Sequence, residues 1–290
     1  MILLDGKKLS LKLQDDITKD VALLAKEHIF PSLAVILVGE DPASQTYVNM
    51  KSRACQKVGI TSITYKMPAK TTQADLLCMV ENLNLNPLID GILIQLPLPS
   101  HINADSVLNA ITPSKDVDGF HPINSGKLTS KLDGFVPATP LGVMELLKYY
   151  NIDIKSKDVT IVGESTIVGR PLAMLMLNAG ATVSIAHKFT KDLSFFTRKA
   201  DILCVATGKV GLITKDMVKE GAVVIDIGIT RLEDGSLKGD VDFESVAPKC
   251  SYITPVPGGV GPMTISSLLL NTVKSAKKRA SNLAKALKEK

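Results

Sequence analysis

Tyr47 and Lys51 stand four residues apart in Asp41-Pro-Ala-Ser-Gln-Thr-Tyr-Val-Asn-Met-Lys51. A phenol and an ammonium on one helical face can tune each other's proton affinity. The stretch carries its own helix start: Asp41 suits an N-cap, and Pro42 suits the first helical position, where a missing N–H is not needed. The same residues also describe a plain surface helix, so their surroundings decide between the two readings. A second group lies in Lys115-Asp-Val-Asp-Gly119, where two carboxylates two apart can accept hydrogen bonds from a ligand or simply form a turn. A third is Gly163-Glu-Ser-Thr-Ile-Val-Gly169, a turn bounded by glycines six positions apart, a looser spacing than the usual dinucleotide fingerprint.

The elements needed to position these residues are legible. Leu9 to Glu27 has helical periodicity, and the apolar run Ser32–Val38 reads as a strand buried on both faces. The helix from Asp41 therefore starts beyond the carboxyl end of a buried strand, where open α/β sheets bind ligands. Thr61–Tyr65 and Gly91–Gln95 read as further strands, with helices over Gln73–Leu83 and Ala104–Ile111. The prolines of Gln95-Leu-Pro-Leu-Pro99 stop a strand and leave Gln95 at its tip. At Pro137-Ala-Thr-Pro-Leu-Gly142, Thr139 is the expected N-cap and Pro140 the first residue of a helix running to Tyr150.

Beyond this junction, strands at Val159–Val162, Thr182–Ala186, Asp201–Ala206 and Ala222–Ile227 alternate with helix-length segments, the pattern of a doubly wound parallel sheet. A helix starting near Gly169 would aim free backbone N–H groups at a pyrophosphate. At the end of the second strand of this half stands Ala186-His-Lys-Phe-Thr190, without the acid that commonly holds NAD ribose. Lys188, with Arg170, could instead meet the 2′-phosphate of NADP, while Glu164 would repel it. Thr254-Pro-Val-Pro-Gly-Gly-Val-Gly-Pro-Met-Thr264 is too rich in proline and glycine for a helix or central strand. It reads either as a rigid loop admitting a flat ligand or as a linker, followed by a helix from Ile265.

Composition narrows the function classes. The 290 residues are 45% hydrophobic and 22% charged, an ordinary globular balance long enough for two domains. The net charge of +5 is concentrated at the end: Lys274 to Lys290 carries seven Lys or Arg and one Glu, leaving about −1 for the rest. No broad basic face is expected, which argues against nucleic acid as a partner. Val273, Ala276, Ala280, Leu283, Ala284 and Leu287 give the tail an amphipathic period instead. Four dispersed cysteines suggest neither a disulfide frame nor a zinc site, and no metal is expected. No apolar run approaches the ~18 residues of a membrane span. A cytoplasmic location is the resulting expectation.

Five stretches, in order along nearly the whole chain, resemble the bifunctional methylenetetrahydrofolate dehydrogenase and methenyltetrahydrofolate cyclohydrolase family. They are Asp41-Pro-Ala-Ser with Tyr47-Val-x-x-Lys51, Gln95-Leu-Pro-Leu-Pro99, Lys115-Asp-Val-Asp-Gly119, Ser165-x-Ile-Val-Gly169 and the loop ending Pro262-Met-Thr264. The resemblance implies a fold of two α/β domains with a cleft between them. Residues 1–138 would be the folate-binding catalytic domain, residues 139–264 a Rossmann-like NADP domain, and helix 265–290 would pack back on the first. It implies oxidation of 5,10-methylenetetrahydrofolate with NADP, then hydrolysis to 10-formyltetrahydrofolate, within one-carbon metabolism and purine biosynthesis, by a homodimer.

By the same resemblance, Lys51 is the central catalytic group, a neutral, desolvated amine that handles the proton of the attacking water. Gln95 would hold it, Tyr47 would stack or hydrogen-bond at the pterin end, and Asp118 would accept the pterin N–H groups. Leu96, Pro97, Pro257, Gly258, Gly259, Gly261 and Pro262 would complete the folate surface. Gly163, Glu164, Ser165, Ile167, Val168, Gly169, Arg170, Lys188, Ile229 and Thr230 fall at cofactor positions. Two residues depart from the pattern: Glu164, where many relatives carry Arg, keeps NAD open, and Ala138 replaces a frequent Cys. A Tyr-x-x-x-Lys pair also serves short-chain dehydrogenases, but there the glycine fingerprint precedes the pair. A nucleotide-binding protein without turnover is the remaining alternative.

Overall fold

A computed structural model describes residues 1–288, apart from the side chains at 283 and 285–288. Leu283 and Leu287 of the expected amphipathic face therefore lie outside the described side chains. In chain order the first elements are β1 (Ile2–Leu3), α1 (Gly6–Lys26), β2 (Ser32–Val38), α2 (Pro42–Val58), β3 (Thr61–Met67), α3 (Gln73–Leu85) and β4 (Gly91–Ile94). Three helices follow: α4 (Ala104–Ala110), α5 (Pro122–Thr129) and α6 (Ala138–Tyr149). A second alternating run comprises β5 (Asp158–Val162), α7 (Gly169–Asn178), β6 (Thr182–Ala186), α8 (Leu193–Thr197), β7 (Ile202–Val205) and β8 (Val223–Asp226). The chain then forms β9 (Thr230–Arg231), β10 (Leu237–Lys238), α9 (Phe243–Val246), β11 (Tyr252–Ile253) and α10 (Val260–Lys288).

These elements form two compact units. One contains Lys12–Lys127, Asp133–Val136 and the chain from Ile265 on; the other contains Met1–Leu11, Leu128–Leu132 and Pro137–Thr264. The first eleven residues, expected with the catalytic domain, belong instead to the second unit, because β1 pairs with β11 in its sheet. The apolar Ile2-Leu3-Leu4 was the available signal.

In the first unit the sheet order is β3-β2-β4, all parallel. Every residue of the central strand β2 is buried, which is why its sequence is an unbroken apolar run. Leu33, Val35 and Leu37 pack with α1, α2 and α10 residues such as Ile17, Val48, Leu269 and Val273. Ala34, Ile36 and Val38 point the other way, toward Leu76, Val80 and Val107 of α3 and α4. Both faces are thus covered by helices, and the site residues can only lie at the strand ends.

Helix α10 supplies the tail's structural role. Its buried side includes Leu268, Val273 and Ala276, with Ala280 packed against them, although Ala284 is exposed. Its cations find partners: Lys274 and Lys278 both reach Asp133, whose carboxyl they hold down at about 2, and Lys277 reaches Asp20. Arg279 grips buried Asp90 with two bonds, Nε to Oδ1 at 2.7 Å and Nη2 to Oδ2 at 3.2 Å. Asp90 also accepts Ser32 N, fixing the start of β2. Arg279→Met is expected to lower unfolding free energy by about 2 kcal/mol, because Asp90 stays buried without its counter-charge. A urea titration checks it; an unchanged midpoint would mean the pair carries no net stability.

The second unit is a six-stranded parallel sheet of order β1-β11-β8-β7-β5-β6. After the edge strand β1 the chain returns to this sheet at β5, turns to β6 on one side and then to β7 on the other, so the order reverses between β5 and β7. That reversal opens a crevice at the carboxyl ends of the two strands, the place where such sheets bind ligands. Two expected starts shift. Helix α6 begins at Ala138 with Pro137 at the cap, and the Thr139 hydroxyl lies 3.1 Å from that of Thr264 instead of capping. Helix α10 begins at Val260, inside the stretch expected to be loop, because Pro262 falls in its first turn, where no N–H is required. Among the described residues no helix is long and apolar enough to cross a membrane.

Candidate functional site

Helix α2 is built as its sequence implies. Asp41 accepts the backbone N–H of Ser44 at 2.7 Å, Pro42 opens the helix, and Gly59 ends it with φ at +83°. Hydrogen bonds from Ser44, its backbone N–H first and its hydroxyl second, hold the Asp41 carboxyl below the usual range. Val48 and Cys55 anchor the buried face of α2, which leaves Tyr47 exposed and Lys51 half-buried on a shared face.

Gln95 is held at the tip of β4. Its backbone N–H continues the ladder to Ile36 O at 2.9 Å, and its side-chain amide donates to Leu96 O at 2.7 Å. The side-chain oxygen of Gln95, so oriented, accepts a hydrogen bond from Lys51 Nζ at 3.1 Å. The Leu96–Pro97 bond that follows is cis.

The two acids of the Asp-x-Asp-Gly motif separate by function. Asp116 is 2% exposed and accepts three hydrogen bonds: Phe120 N at 3.1 Å, His121 N at 2.9 Å and Asn124 Nδ2 at 2.8 Å. It is the turn former. Asp118 has no hydrogen-bond partner among the described residues, although burial pushes its carboxyl up to about 6. Lys51 pulls that value down and Asp116 pushes it further up, so both lie within electrostatic reach. The residue as a whole is half-buried, yet desolvation of the carboxyl dominates. A desolvated carboxylate with open lone pairs is suited to accept N–H groups from a ligand.

The loop carrying Asp118 is pinned from two sides. Ile92 N donates to Lys115 O at 2.9 Å beside β4, and the buried amide of Asn271 in α10 donates to Val117 O at 2.8 Å and to Val136 O at 2.9 Å. Sequence reasoning passed over Asn271; a buried asparagine interrupting the apolar run from Ile265 to Val273 was the signal. Lys51, Gln95 and Asp118 are therefore gathered at one end of the first sheet, with Tyr47 one helical turn from Lys51.

In the second unit the glycine turn is a backbone cradle. Gly163 has φ at +123°, and a Cβ there would collide with Ala206 O; a Cβ at Gly169 would collide with Gly163 O. Ser165 Oγ accepts Val168 N at 3.2 Å and Gly169 N at 3.4 Å, capping α7. The N–H groups of Ser165, Thr166 and Ile167 have no partner among the described residues. A close-packed turn with free N–H groups at a helix start fits a dinucleotide pyrophosphate.

Glu164 does not stand alone there: Arg170 donates to its side chain at 3.1 Å and to its carbonyl at 2.9 Å. The charge expected to repel a phosphate is therefore paired. Lys188 is exposed in the turn after β6, 4.9 Å from the Phe189 ring centroid, and that turn is closed by His187 N donating to Thr190 Oγ1 at 2.9 Å. Ile229 is exposed after β8, and Thr230 begins β9.

The proline–glycine loop belongs to the same unit. Gly258 has φ at +106°, its carbonyl accepts Lys7 N at 3.0 Å, and the Val256–Pro257 bond is cis. Gly259 packs against Pro255 O and Thr254, and a Cβ at Gly6 would collide with Gly259 O. Around Gly261 there is open space for a side chain, and Pro262 lies in α10. Among the described residues no cluster of three His, Cys, Asp or Glu could hold a metal.

Residues 4–118 match the catalytic-domain model of the tetrahydrofolate dehydrogenase/cyclohydrolase family, and residues 137–280 match its NAD(P)-binding domain. The chain is 64% identical over 280 residues to the bifunctional protein FolD of Wolinella succinogenes, covering 96% of this chain and 98% of that one. It is 62% identical over 276 residues to the FolD of Helicobacter hepaticus, covering 95% and 96%. The crystal structure of the Campylobacter jejuni bifunctional FolD superposes with a TM-score of 0.95 at 57% identity over 96% of this chain and 99% of that one. A Trypanosoma brucei FolD, solved with NADP cofactor and an inhibitor, gives 0.92 at 38% identity over 96% and 98%.

Proposed function

Because the chain belongs to the tetrahydrofolate dehydrogenase/cyclohydrolase family, we propose that it oxidises 5,10-methylenetetrahydrofolate with NADP and hydrolyses the methenyl product to 10-formyltetrahydrofolate. The observation that carries this reading is the gathering of Lys51, held by Gln95 at 3.1 Å, with the free, desolvated carboxyl of Asp118.

Asp118 accepts the polar N–H groups of the pterin and so fixes the substrate's orientation, while Tyr47 offers it a ring face. Lys51 handles the proton of the water that attacks the methenyl carbon, and Gln95 keeps the amine in place by accepting from it. The Pro257–Pro262 loop, with Leu96 and Pro97, contributes apolar surface to the folate. NADP, when bound, supplies the nicotinamide that accepts the hydride. The N–H groups of the Gly163–Gly169 turn would hold its pyrophosphate, and Ile229 and Thr230 would contribute to the same cofactor site. A homodimer in the cytoplasm, serving purine biosynthesis, completes the proposal; light scattering tests the dimer.

Mixing the protein with methylenetetrahydrofolate and NADP tests the function through the absorbance bands of NADPH and of the methenyl intermediate. If neither rises, the enzyme reading fails. On the cofactor side, Lys188→Ala is expected to raise KM for NADP about fivefold with little change for NAD, as loss of one exposed cation from a phosphate should. Equal changes for both cofactors would remove Lys188 from 2′-phosphate recognition.

A further inference from the structure

Two buried carboxylates at the carboxyl end of the six-stranded sheet remain outside the roles given so far. Asp226 ends β8 and is 3% exposed, and Asp240 follows β10 and is fully buried. Asp226 accepts through Oδ1 from Gly228 N and Asp240 N, both at 3.0 Å, and through Oδ2 from Val241 N at 2.9 Å. Asp240 Oδ2 accepts from Thr207 N at 2.5 Å, Thr207 Oγ1 at 3.0 Å and Gly208 N at 3.0 Å. Neither side chain has a Lys or Arg partner among the described residues. The other oxygen of Asp240 has no hydrogen-bond partner among the described residues.

That oxygen packs against Gly228. A Cβ at Gly228 would collide with the Asp240 carboxyl, and a Cβ at Gly239 would collide with the Asp226 carboxyl. Each acid is thus seated against a glycine of the loop that the other acid's residue adjoins. Burying two carboxylates without a cation is costly, and it is the backbone of three loops that offsets the cost. Those loops are Thr207–Gly208 after β7, Gly228–Thr230 after β8, and Gly239–Val241. The first continues from Ala206, whose carbonyl is the wall against which Gly163 of the glycine turn packs.

We propose that Asp226 and Asp240 are positioning residues for cofactor binding: a cation-free carboxylate relay that sets the Thr207–Gly208 and Gly228–Thr230 turns beside the glycine cradle. The inference rests on the NADP reading above. Asp240 acts through backbone that it holds, so its removal loosens the turns without touching Lys51, Gln95 or Asp118.

The test uses the full-length protein with Asp240→Asn and, as a milder change, Thr207→Val, which deletes only the hydroxyl donor. Calorimetric titration with NADP should show about tenfold weaker binding for Asp240→Asn and about threefold for Thr207→Val, with KM for NADP rising in parallel. Cyclohydrolase turnover of supplied methenyltetrahydrofolate, which needs no NADP, should stay within about twofold. Unchanged NADP affinity in both variants would overturn the inference while the enzyme reading stands. Equal loss of both activities in Thr207→Val together with a lower melting temperature would overturn it in favour of a merely structural role. Wild-type protein that fails to bind NADP would overturn both.

Discussion

Lys51→Met should abolish cyclohydrolase turnover, by at least about a thousandfold, while NADP binds with unchanged affinity. Methionine preserves the length and apolar stem of lysine and removes only the amine, so α2 keeps its packing through Val48 and Cys55. The hydrogen bond lost is the one to Gln95 Oε1, whose amide stays tethered to Leu96 O. Supplying methenyltetrahydrofolate directly and following loss of its absorbance isolates the hydrolytic step. Turnover within tenfold of wild type would show that another group handles the proton.

Asp118→Asn should lower kcat/KM for methylenetetrahydrofolate about a hundredfold, the loss expected when two charge-assisted hydrogen bonds become neutral ones. The wild-type pH dependence carries the same signature. The carboxylate form is the acceptor, and burial sets its pKa at about 6. In the proposed role, the folate KM should be flat above neutrality and rise as pH falls through about 6, and in Asp118→Asn that limb should disappear. Stability moves the opposite way. Because the folded pKa lies above the ordinary 3.8, the folded state holds a proton that the unfolded chain has lost, so this group's contribution falls as pH rises from about 4 to 6. At neutral pH, Asp118→Asn should thus be more stable than wild type, the usual exchange of stability for a poised group. A variant of equal stability with the pH limb intact would place the titrating group elsewhere.

Much of this was readable from the chain, and the failures have physical causes. The cap and proline of α2, the buried β2 and the placement of Gln95 at a strand tip follow from local rules that act within a few residues. The pairing of Lys51 with Gln95 spans 44 positions, and only the family resemblance could join them. Asp116 and Asp118 look alike in sequence; only the positions of Phe120, His121 and Asn124 decide which of the two is spent on the turn. Glu164 and Arg170 were read as opposed influences on a phosphate, whereas the tight turn between them, closed onto the start of α7, lets them pair. The early strand β1 was missed because two residues give no period, and its partner β11 lies 250 positions away.

The cradle and its rim differ in one further respect. Gly163 and Gly169 bring backbone against backbone, so the N–H groups of the turn are fixed dipoles whose placement needs no charged side chain. Lys188, the group proposed to meet a 2′-phosphate, is exposed, where screening acts over a Debye length of about 8 Å at physiological ionic strength. On the proposed reading, the preference for NADP over NAD should therefore weaken as salt is added.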